Sequence, residues 1–139
     1  MASPIAVDTS AIIAILLDEP ESEAFKAVMG ASAGNFCSMV TFVESFMVST
    51  GRYARGSLDL HSEFISDLGI ATVPLDQEQA EAAAEAFLRF GKGRHPAKLN
   101  LGDCFSYALA KSLNAPLLYK GEDFAKTDIL SAATAGAHP

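Results

Sequence analysis

The sequence has 139 residues, a usual length for one domain, and half of it is hydrophobic, so it can bury a substantial core. The longest apolar stretch near the start, Ala11 to Leu17, is too short to cross a bilayer and no Lys or Arg precedes it, which argues against a membrane span and a secretory signal. The formal net charge of -7 argues against phosphate binding through a general excess of Lys and Arg, unless several acids are committed to a metal ion.

In the first half of the chain, short apolar runs alternate with helical patterns. In chain order the predicted elements are a strand at Ile5–Val7, a helix from Thr9 or Ser10 to Leu17, a helix from Pro20 to Gly30, a strand at Asn35–Ser38, and a long helix that runs to about Arg52 or Tyr53 and ends near Gly56. Proline suits the first position of a helix and glycine its end, which sets the bounds of the second helix.

The second half repeats this alternation. The predicted elements are a helix from Ser57 or Leu58 to Leu68, a strand at Ile70–Val73, a helix from Asp76 to about Phe90, a basic loop at Gly91–Leu99, a helix at Leu101–Leu113, a strand at Pro116–Tyr119, a turn with a single helical turn at Gly121–Thr127, and one more short strand at Ile129–Leu130. In the helix after Ser57, one face is assigned to Leu60, Phe64, Ile65 and Leu68. The alternation predicts one α/β domain, residues 1–139, whose parallel sheet is covered on both faces.

The two cysteines, Cys37 and Cys104, lie far apart, and each has apolar neighbours. There is no C-x-x-C pair and no H-x-x-x-H spacing, so a zinc site is poorly supported. We expect free thiols in the core of a cytoplasmic protein.

Four acidic residues are the candidates for chemistry: Asp8, Glu44, Asp103 and Asp123. In open α/β sheets, active sites form at the carboxyl ends of the strands. Asp8 ends the first predicted strand and Asp123 closely follows the fourth, although either residue also suits a helix cap. Asp128 is either a fifth acid of the same site or a turn residue, and Asp123 is preferred over it.

Glu44 lies in a helix with almost no other charge, and Val40, Met47 and Val48 are its neighbours one turn away. A carboxylate on an apolar face is costly unless a cation or a metal compensates it. The alternatives are a basic partner in the core or a helix face that is wetter than the pattern indicates. Asp103 opens a helix, where the helix dipole alone favours an acid.

A cluster of carboxylates is consistent with a metal site, because Mg²⁺ prefers oxygen ligands. A bound Mg²⁺ or Mn²⁺ lowers the pKa of a water molecule for attack on a phosphodiester and neutralises charge on the phosphate. Without a cation, four nearby carboxylates would repel one another and raise one another's pKa values.

Four segments together carry a resemblance to a known family. "VDTSAIIA" at the start, Glu44 within an apolar helix, "LNLGDCFSYALAK" around Asp103 and "LLYKGEDFAKTDI" around Asp123 resemble PIN-domain ribonucleases, most closely the VapC-type toxins of bacterial toxin–antitoxin (VapBC) pairs. The resemblance runs from about Ile5 to Ile129. It implies a flavodoxin-like or PIN-type three-layer α/β/α sandwich with a short parallel central sheet.

The same resemblance implies an endoribonuclease that depends on Mg²⁺ or Mn²⁺. Asp8, Glu44 and Asp103 match the family's three most regular metal-site acids, and Asp123 matches its more variable fourth. Thr9 or Ser10 would position Asp8 or a metal-bound water. The implied partners are RNA, a second copy of the chain in a homodimer, and a cognate VapB-type antitoxin that inserts a segment, often with an Arg, into the acidic groove and builds a higher hetero-oligomer.

A run of basic residues without any acid lies just ahead of Asp103. It consists of Arg89, Lys92, Arg94, His95 and Lys98. Such a patch suits an RNA backbone. The alternative is an ordinary solvated connection.

Other function classes match the sequence less well. A receiver-type signalling domain expects two adjacent acids after the first strand, and only Asp8 is present. A haloacid-dehalogenase-like phosphatase expects an acid where Ser10 stands. A non-catalytic module that only binds RNA or protein would be expected to lack one or more of the acids, and a hydrolytic triad has no G-x-S-x-G motif.

Overall fold

The computed structural model describes residues 2–52 and 57–133, without the side chain of Arg52. The predicted end of the third helix, at Tyr53 or near Gly56, lies outside the described residues. The strands are β1 (Pro4–Val7), β2 (Gly34–Ser38), β3 (Ile70–Val73) and β4 (Leu117–Leu118). The helices are α1 (Thr9–Leu16), α2 (Ser22–Ala31), α3 (Met39–Arg52), α4 (Leu58–Asp67), α5 (Gln77–Phe90) and α6 (Leu101–Ser112), followed by a 3₁₀ turn at Phe124–Lys126.

The four strands form one parallel sheet in the order β3-β2-β1-β4. The chain therefore builds outward from β1 to β3 and then returns to the other side of β1. This reversal lies between β1 and β4, where a crevice opens at the carboxyl ends of the strands in such sheets. Asp8 follows β1 directly, and its backbone N–H donates to Leu118 O at 2.9 Å.

Alternate residues of each strand belong to different cores. Ala6 and Leu117 pack with α5 and α6 on one side, whereas Val7 and Leu118 pack with α1, α2 and α4 on the other. Successive side chains of a strand point to opposite faces, so both faces of the sheet are apolar and both are covered. The predicted three-layer α/β/α sandwich with a short parallel sheet is confirmed.

Both cysteines are buried and free, as predicted. Cys37 belongs to the core on the α1 side and Cys104 to the core on the α6 side. Burial raises the pKa of Cys37 to about 12 and, with the nearby charge of Asp103, that of Cys104 to about 11. Neither thiol is poised to ionise near neutral pH.

Three details of the predicted elements are wrong. Helix α2 begins at Ser22, because Pro20 lies in the preceding turn. Residues 129–130 do not form a strand; Leu117 instead makes an isolated bridge with Ser131. In α4 the buried side chains are His61 and Ile65, while Leu60 is 48% exposed.

His61 is buried in that core, with a polar partner for one of its two ring nitrogens and aromatic neighbours around the ring. Its Nε2 lies 3.0 Å from Ser45 Oγ, and Phe42, Phe46 and Phe64 surround the ring. Burial lowers the pKa of His61, so the neutral imidazole is favoured. No helix among the described residues has the length and apolar character that a membrane crossing requires.

Candidate active site

Asp8 is held at the end of β1 by three hydrogen bonds. Ser10 donates to Asp8 Oδ2 from its backbone N at 3.0 Å and from its hydroxyl at 2.7 Å, and Ser106 donates to Oδ1 at 2.5 Å. The residue is 3% exposed. Asp8 therefore caps α1, as the structural alternative expected, but its carboxylate is also fixed from a second helix, α6.

Glu44 reaches the same edge from α3. Thr9 donates its hydroxyl proton to Glu44 Oε1 at 2.7 Å. Burial raises the pKa of Glu44; the Thr9 hydrogen bond opposes this shift and the charge of Asp8 adds to it. A Cβ atom on Gly102 would lie 2.1 Å from Glu44 Oε2, so the absence of a side chain at Gly102 makes room for this carboxylate.

The apolar neighbours of Glu44 are exposed rather than part of the core. Of the three named from the sequence, Met47 is 66% and Val48 45% exposed and Val40 is partly buried; the adjacent Val43 is 51% exposed. The prediction treated this face of α3 as apolar surroundings that make a charge costly. The structure corresponds to the alternative of a wetter face, and the part-buried environment of Glu44 comes from Thr9 and Gly102 instead.

Asp103 combines a structural and an electrostatic role at the start of α6. Its backbone N donates to Asn100 Oδ1 at 2.9 Å, and its Oδ2 accepts from Asn100 N at 3.0 Å, which forms a capping box. Burial raises the pKa of Asp103 to about 6; the Asn100 hydrogen bond opposes the shift, and the charges of Asp8, Glu44 and Asp123 add to it. The pKa of Asp103 is thus raised by acids from three other segments of the chain.

Asp123 precedes the 3₁₀ turn but makes no side-chain capping bond there. Its carboxylate is half-buried, and its charge acts on Asp103. Asp123 therefore does not act as a helix cap here. Its charge instead acts on the same carboxylate as those of Asp8 and Glu44.

Asp128 belongs to a different cluster. Its carboxylate accepts a short hydrogen bond from the hydroxyl of Tyr107 and one from Lys111 Nζ at 3.1 Å, and it lies 3.6 Å from Arg89 Nη2. Partial burial raises the pKa of Asp128, but these hydrogen bonds and cations outweigh it and lower the pKa. This setting favours the structural alternative for Asp128.

The basic residues ahead of Asp103, Arg89 at the end of α5 and the others in the loop at Gly91–Leu99, divide into two groups. Arg89 pairs with Asp128, and His95 Nδ1 accepts a hydrogen bond from Ala97 N at 3.0 Å. Lys92, Arg94 and Lys98 are exposed, and none of them forms an ion pair with the residues described. The loop ends at Asn100, which caps the helix that carries Asp103.

The acidic side chains suit a hard divalent cation. Asp8, Glu44, Asp103 and Asp123 offer only carboxylate oxygens, the ligands that Mg²⁺ and Mn²⁺ prefer. Burial, with the charges of Asp8, Glu44 and Asp123, raises the pKa of Asp103, and a bound cation would oppose this by favouring the ionised carboxylate. Within residues 2–52 and 57–133, however, no three His, Cys, Asp or Glu side chains already converge at metal–ligand distances. Protein donors hold Asp8, Glu44 and Asp103 individually instead.

Two hydroxyls at this edge were not predicted from the sequence. Ser106 donates to Asp8, and Thr41 Oγ1 lies 3.4 Å from Ser106 Oγ. The one available signal is spacing: Ser106 follows Asp103 by three residues, and Thr41 precedes Glu44 by three, so each lies one helical turn from an acid.

Lys120, in the loop after β4, connects this loop to α1 and to the segment that follows α1. Lys120 donates its backbone N–H to Ser10 Oγ at 2.9 Å, while its Nζ pairs with Glu19 at 3.0 Å and Glu21 at 3.3 Å. Ser10 therefore lies between Asp8 and the segment that leads to Asp123.

Comparisons with known proteins agree on one family. The PIN domain family matches residues 5–130. Ribonuclease VapC30 of Mycobacterium tuberculosis is 42% identical over 130 residues, which cover 91% of this chain and 97% of that protein. Ribonuclease VapC of Mycolicibacterium smegmatis is 43% identical over 126 residues, 88% of this chain and 95% of that protein. Among solved structures, the sarcin–ricin loop cleaving toxin VapC20 of Mycobacterium tuberculosis superposes with a TM-score of 0.71 at 16% identity and covers 91% of this chain and 96% of that one.

Proposed function

The chain belongs to the PIN domain family, and from this premise we propose that it is a metal-dependent endoribonuclease, the toxin of a toxin–antitoxin pair. The observation that carries the proposal is that the charges of Asp8, Glu44 and Asp123 act on Asp103. These four acids come from four separate segments of the chain. The names of the relatives, ribonucleases of the VapC group, support the choice of RNA as substrate. We further propose that residues 1–139 form one PIN domain and that the protein is cytoplasmic.

The acids at the sheet edge would hold Mg²⁺ or Mn²⁺. Asp8, Glu44 and Asp103 are the principal ligands in this assignment, and Asp123 is the fourth. When bound, the ion lowers the pKa of water and neutralises charge that develops on the phosphate. Thr9 orients Glu44 and Ser10 orients Asp8 through the hydrogen bonds described above.

The RNA backbone would approach from the side of the basic loop. Lys92, Arg94 and Lys98 have no ion-pair partner in the described part of the chain, so their charges remain available for phosphates. Arg89 and His95 belong to the same candidate surface, but their contacts with Asp128 and Ala97 suit them better to shaping the loop.

An exposed apolar groove beside Glu44 suits protein partners. It encloses about 350 Å³ and is lined by Met39, Val40, Val43, Glu44, Met47, Leu75 and Leu101. Apart from Glu44, every residue that lines this groove is apolar. A VapB-type antitoxin segment with apolar side chains and one Arg would fit both the groove and the acidic edge, and a second copy of the chain would cover the remaining apolar surface.

The proposal is tested by RNA cleavage with the purified protein. Total and structured RNA are incubated with Mg²⁺, with Mn²⁺ or with EDTA, and Asp103→Asn is compared with Asp128→Asn as a matched control. We expect metal-dependent cleavage that Asp103→Asn lowers by roughly a hundredfold or more and Asp128→Asn largely retains. Folded protein that binds RNA but neither binds metal nor cuts would identify a non-catalytic binding module instead.

A further inference from the structure

Ser106 and Ser49 are equally buried helical serines, but their hydroxyls donate to different kinds of partner. Ser49 donates to Phe46 O at 2.7 Å, so its proton is used within its own helix, α3. Ser106 is 1% exposed, yet its hydroxyl leaves α6 and donates to Asp8 Oδ1 at 2.5 Å. A buried hydroxyl directed at a carboxylate in this way connects two elements of the fold.

A second buried hydroxyl stands behind Ser106. Thr41, on α3, is 0% exposed, and its Oγ1 lies 3.4 Å from Ser106 Oγ. A hydroxyl has one proton, and Ser106 gives its proton to Asp8, so Thr41 is the donor of this longer hydrogen bond. The order of donation is therefore from Thr41 to Ser106 to Asp8, and each bond in such a chain polarises the next.

The chain of hydroxyls joins the three elements that carry the principal acids. Thr41 lies one turn before Glu44 on α3, Ser106 lies one turn after Asp103 on α6, and Asp8 follows β1. A shift of either helix relative to the sheet would break one of these hydrogen bonds. These two hydrogen bonds thus fix the position of Asp8 relative to the helices that bear the other two acids.

Ser106 also limits how Asp8 can bind an ion. A carboxylate has about four lone-pair sites. Ser10 N, Ser10 Oγ and Ser106 Oγ occupy three of them. One site is left for a cation, and the three donors hold the group in one orientation.

We propose that Ser106, supported by Thr41, is a positioning residue that orients the Asp8 carboxylate for cation binding. The inference rests on the proposed function, because it assigns Asp8 to the metal site. Hydrogen bonds to metal ligands commonly alter metal affinity by about ten- to a hundredfold when they are removed. Ser106 acts through Asp8 and is not itself assigned any contact with the ion or the RNA.

The test measures Mn²⁺ affinity directly, by electron paramagnetic resonance of free Mn²⁺ at a temperature well below unfolding. We expect Ser106→Ala to weaken Mn²⁺ binding by about tenfold and Thr41→Val, which keeps the side-chain shape, by about threefold. Thr41→Ser should restore the binding, because it retains the hydroxyl. Ser49→Ala removes an equally buried serine hydroxyl that takes no part in the hydrogen bonds from Thr41 to Ser106 to Asp8. This variant should bind Mn²⁺ as the unsubstituted protein does.

The outcomes separate this inference from the proposed function. If Ser106→Ala and Thr41→Val bind Mn²⁺ within twofold of the unsubstituted protein, the positioning role is wrong while the metal site stands. If the unsubstituted protein binds no Mn²⁺, the proposed function is wrong and this inference with it. Unfolding in EDTA identifies a variant that has lost its fold; if Ser106→Ala does not fold, Thr41→Val and Thr41→Ser decide the question.

Discussion

Asp103 and Asp128 are both held by hydrogen bonds near α6, yet their surroundings have opposite charge. Asp128 faces Lys111 and Arg89, which lower its pKa against the effect of partial burial. Asp103 is raised to a pKa of about 6 by burial and by three neighbouring acids. The negative charge of Asp128 is compensated by cationic side chains of the protein, whereas that of Asp103 would be compensated only by a bound cation.

This difference distinguishes an acid that stabilises the fold from one kept for binding. An ionised Asp128 gains from its cationic neighbours on folding, and an ionised Asp103 gains only the capping bonds to Asn100 against repulsion from the other acids. Sites built for function often reduce stability in this way. The four acids share the carboxyl edge of the sheet, and the Asp128 cluster contacts a separate part of α6.

Among substitutions that keep all four acids, the largest effect on activity should come from Gly102→Ala. The new Cβ would lie 2.1 Å from Glu44 Oε2, so the Glu44 carboxylate must leave its place beside Gly102. Alanine also favours a helix by about 1 kcal/mol over glycine, so the fold should hold. We expect cleavage to fall by about tenfold or more, measured as kcat with saturating metal.

Gly30→Ala is the matched control for this substitution. Gly30 lies in α2, and nothing stands within 4 Å of a Cβ placed there. Its activity should equal that of the unsubstituted protein. Equal activity of Gly102→Ala would show that the place of Glu44 beside Gly102 is irrelevant to cleavage.

Asp128→Asn should lower the free energy of unfolding by about 1 kcal/mol, because it weakens contacts with Tyr107, Lys111 and Arg89 that are partly screened by solvent. Urea unfolding measures this loss. Cleavage per folded molecule should be unchanged. A specific loss of Mn²⁺ affinity would move Asp128 into the metal site and remove the contrast between the two aspartates.

The two aspartates should also differ in how pH affects stability without metal. Since the pKa of Asp103 is raised in the folded state, its favourable contribution is fully present below its usual value of 3.8 and is lost as the pH rises through about 6. For Asp128 the pKa is lowered, so its contribution is present above the usual value and is lost as the pH falls through the folded-state pKa.

Unfolding temperatures in EDTA at pH 5 and pH 7.5 measure this contrast. Between pH 5 and pH 7.5, the unfolding temperature of Asp103→Asn should rise relative to that of the unsubstituted protein by a few degrees, which corresponds to on the order of 1 kcal/mol. Asp128→Asn should be less stable than the unsubstituted protein at both pH values. An Asp103→Asn protein whose relative stability is the same at both pH values would contradict the raised pKa.

The smallest expected effect concerns the basic loop. Replacing Arg94 and Lys98 together by alanine removes two exposed charges that make no ion pair with the described residues. RNA affinity should fall by about three- to tenfold, and the slope of log affinity against log salt should become shallower by about 1 to 2. An unchanged slope would identify the loop as a solvated connection.

Much of the fold was predictable because its signals are local. The strand at Ile5–Val7 and the alternation of strands with helices follow from runs of apolar residues, and the parallel sheet follows from that alternation. The burial of His61 on α4 was not predicted, because a histidine carries no sign of burial until Ser45 and the phenylalanines contact it in the tertiary structure. Ile129–Leu130 has strand composition, but its neighbour Ser131 makes the bridge instead.

The acids of the candidate site could be named from the sequence, as could Thr9 and Ser10 beside them, whereas Ser106 and Thr41 could not. Carboxylates at strand ends or in apolar helices stand out in a sequence. A serine within a helix, such as Ser106, does not, because the partner of its hydroxyl lies 98 residues away at Asp8. The separate setting of Asp128 was equally hidden, since its partners Arg89 and Lys111 come from two other elements.

The central claim is that the acids around Asp103 form a cation site and that Asp128 does not belong to it. The most direct test is a Mn²⁺ titration that follows the unfolding temperatures of the unsubstituted protein, Asp103→Asn and Asp128→Asn. A ligand that binds only the folded state raises its stability more as the ligand concentration rises above Kd. Mn²⁺ should raise the unfolding temperature of the unsubstituted protein and of Asp128→Asn by the same amount, from a lower starting value in the latter, and should scarcely raise that of Asp103→Asn. A full Mn²⁺ response in Asp103→Asn, or its loss in Asp128→Asn, would contradict the account.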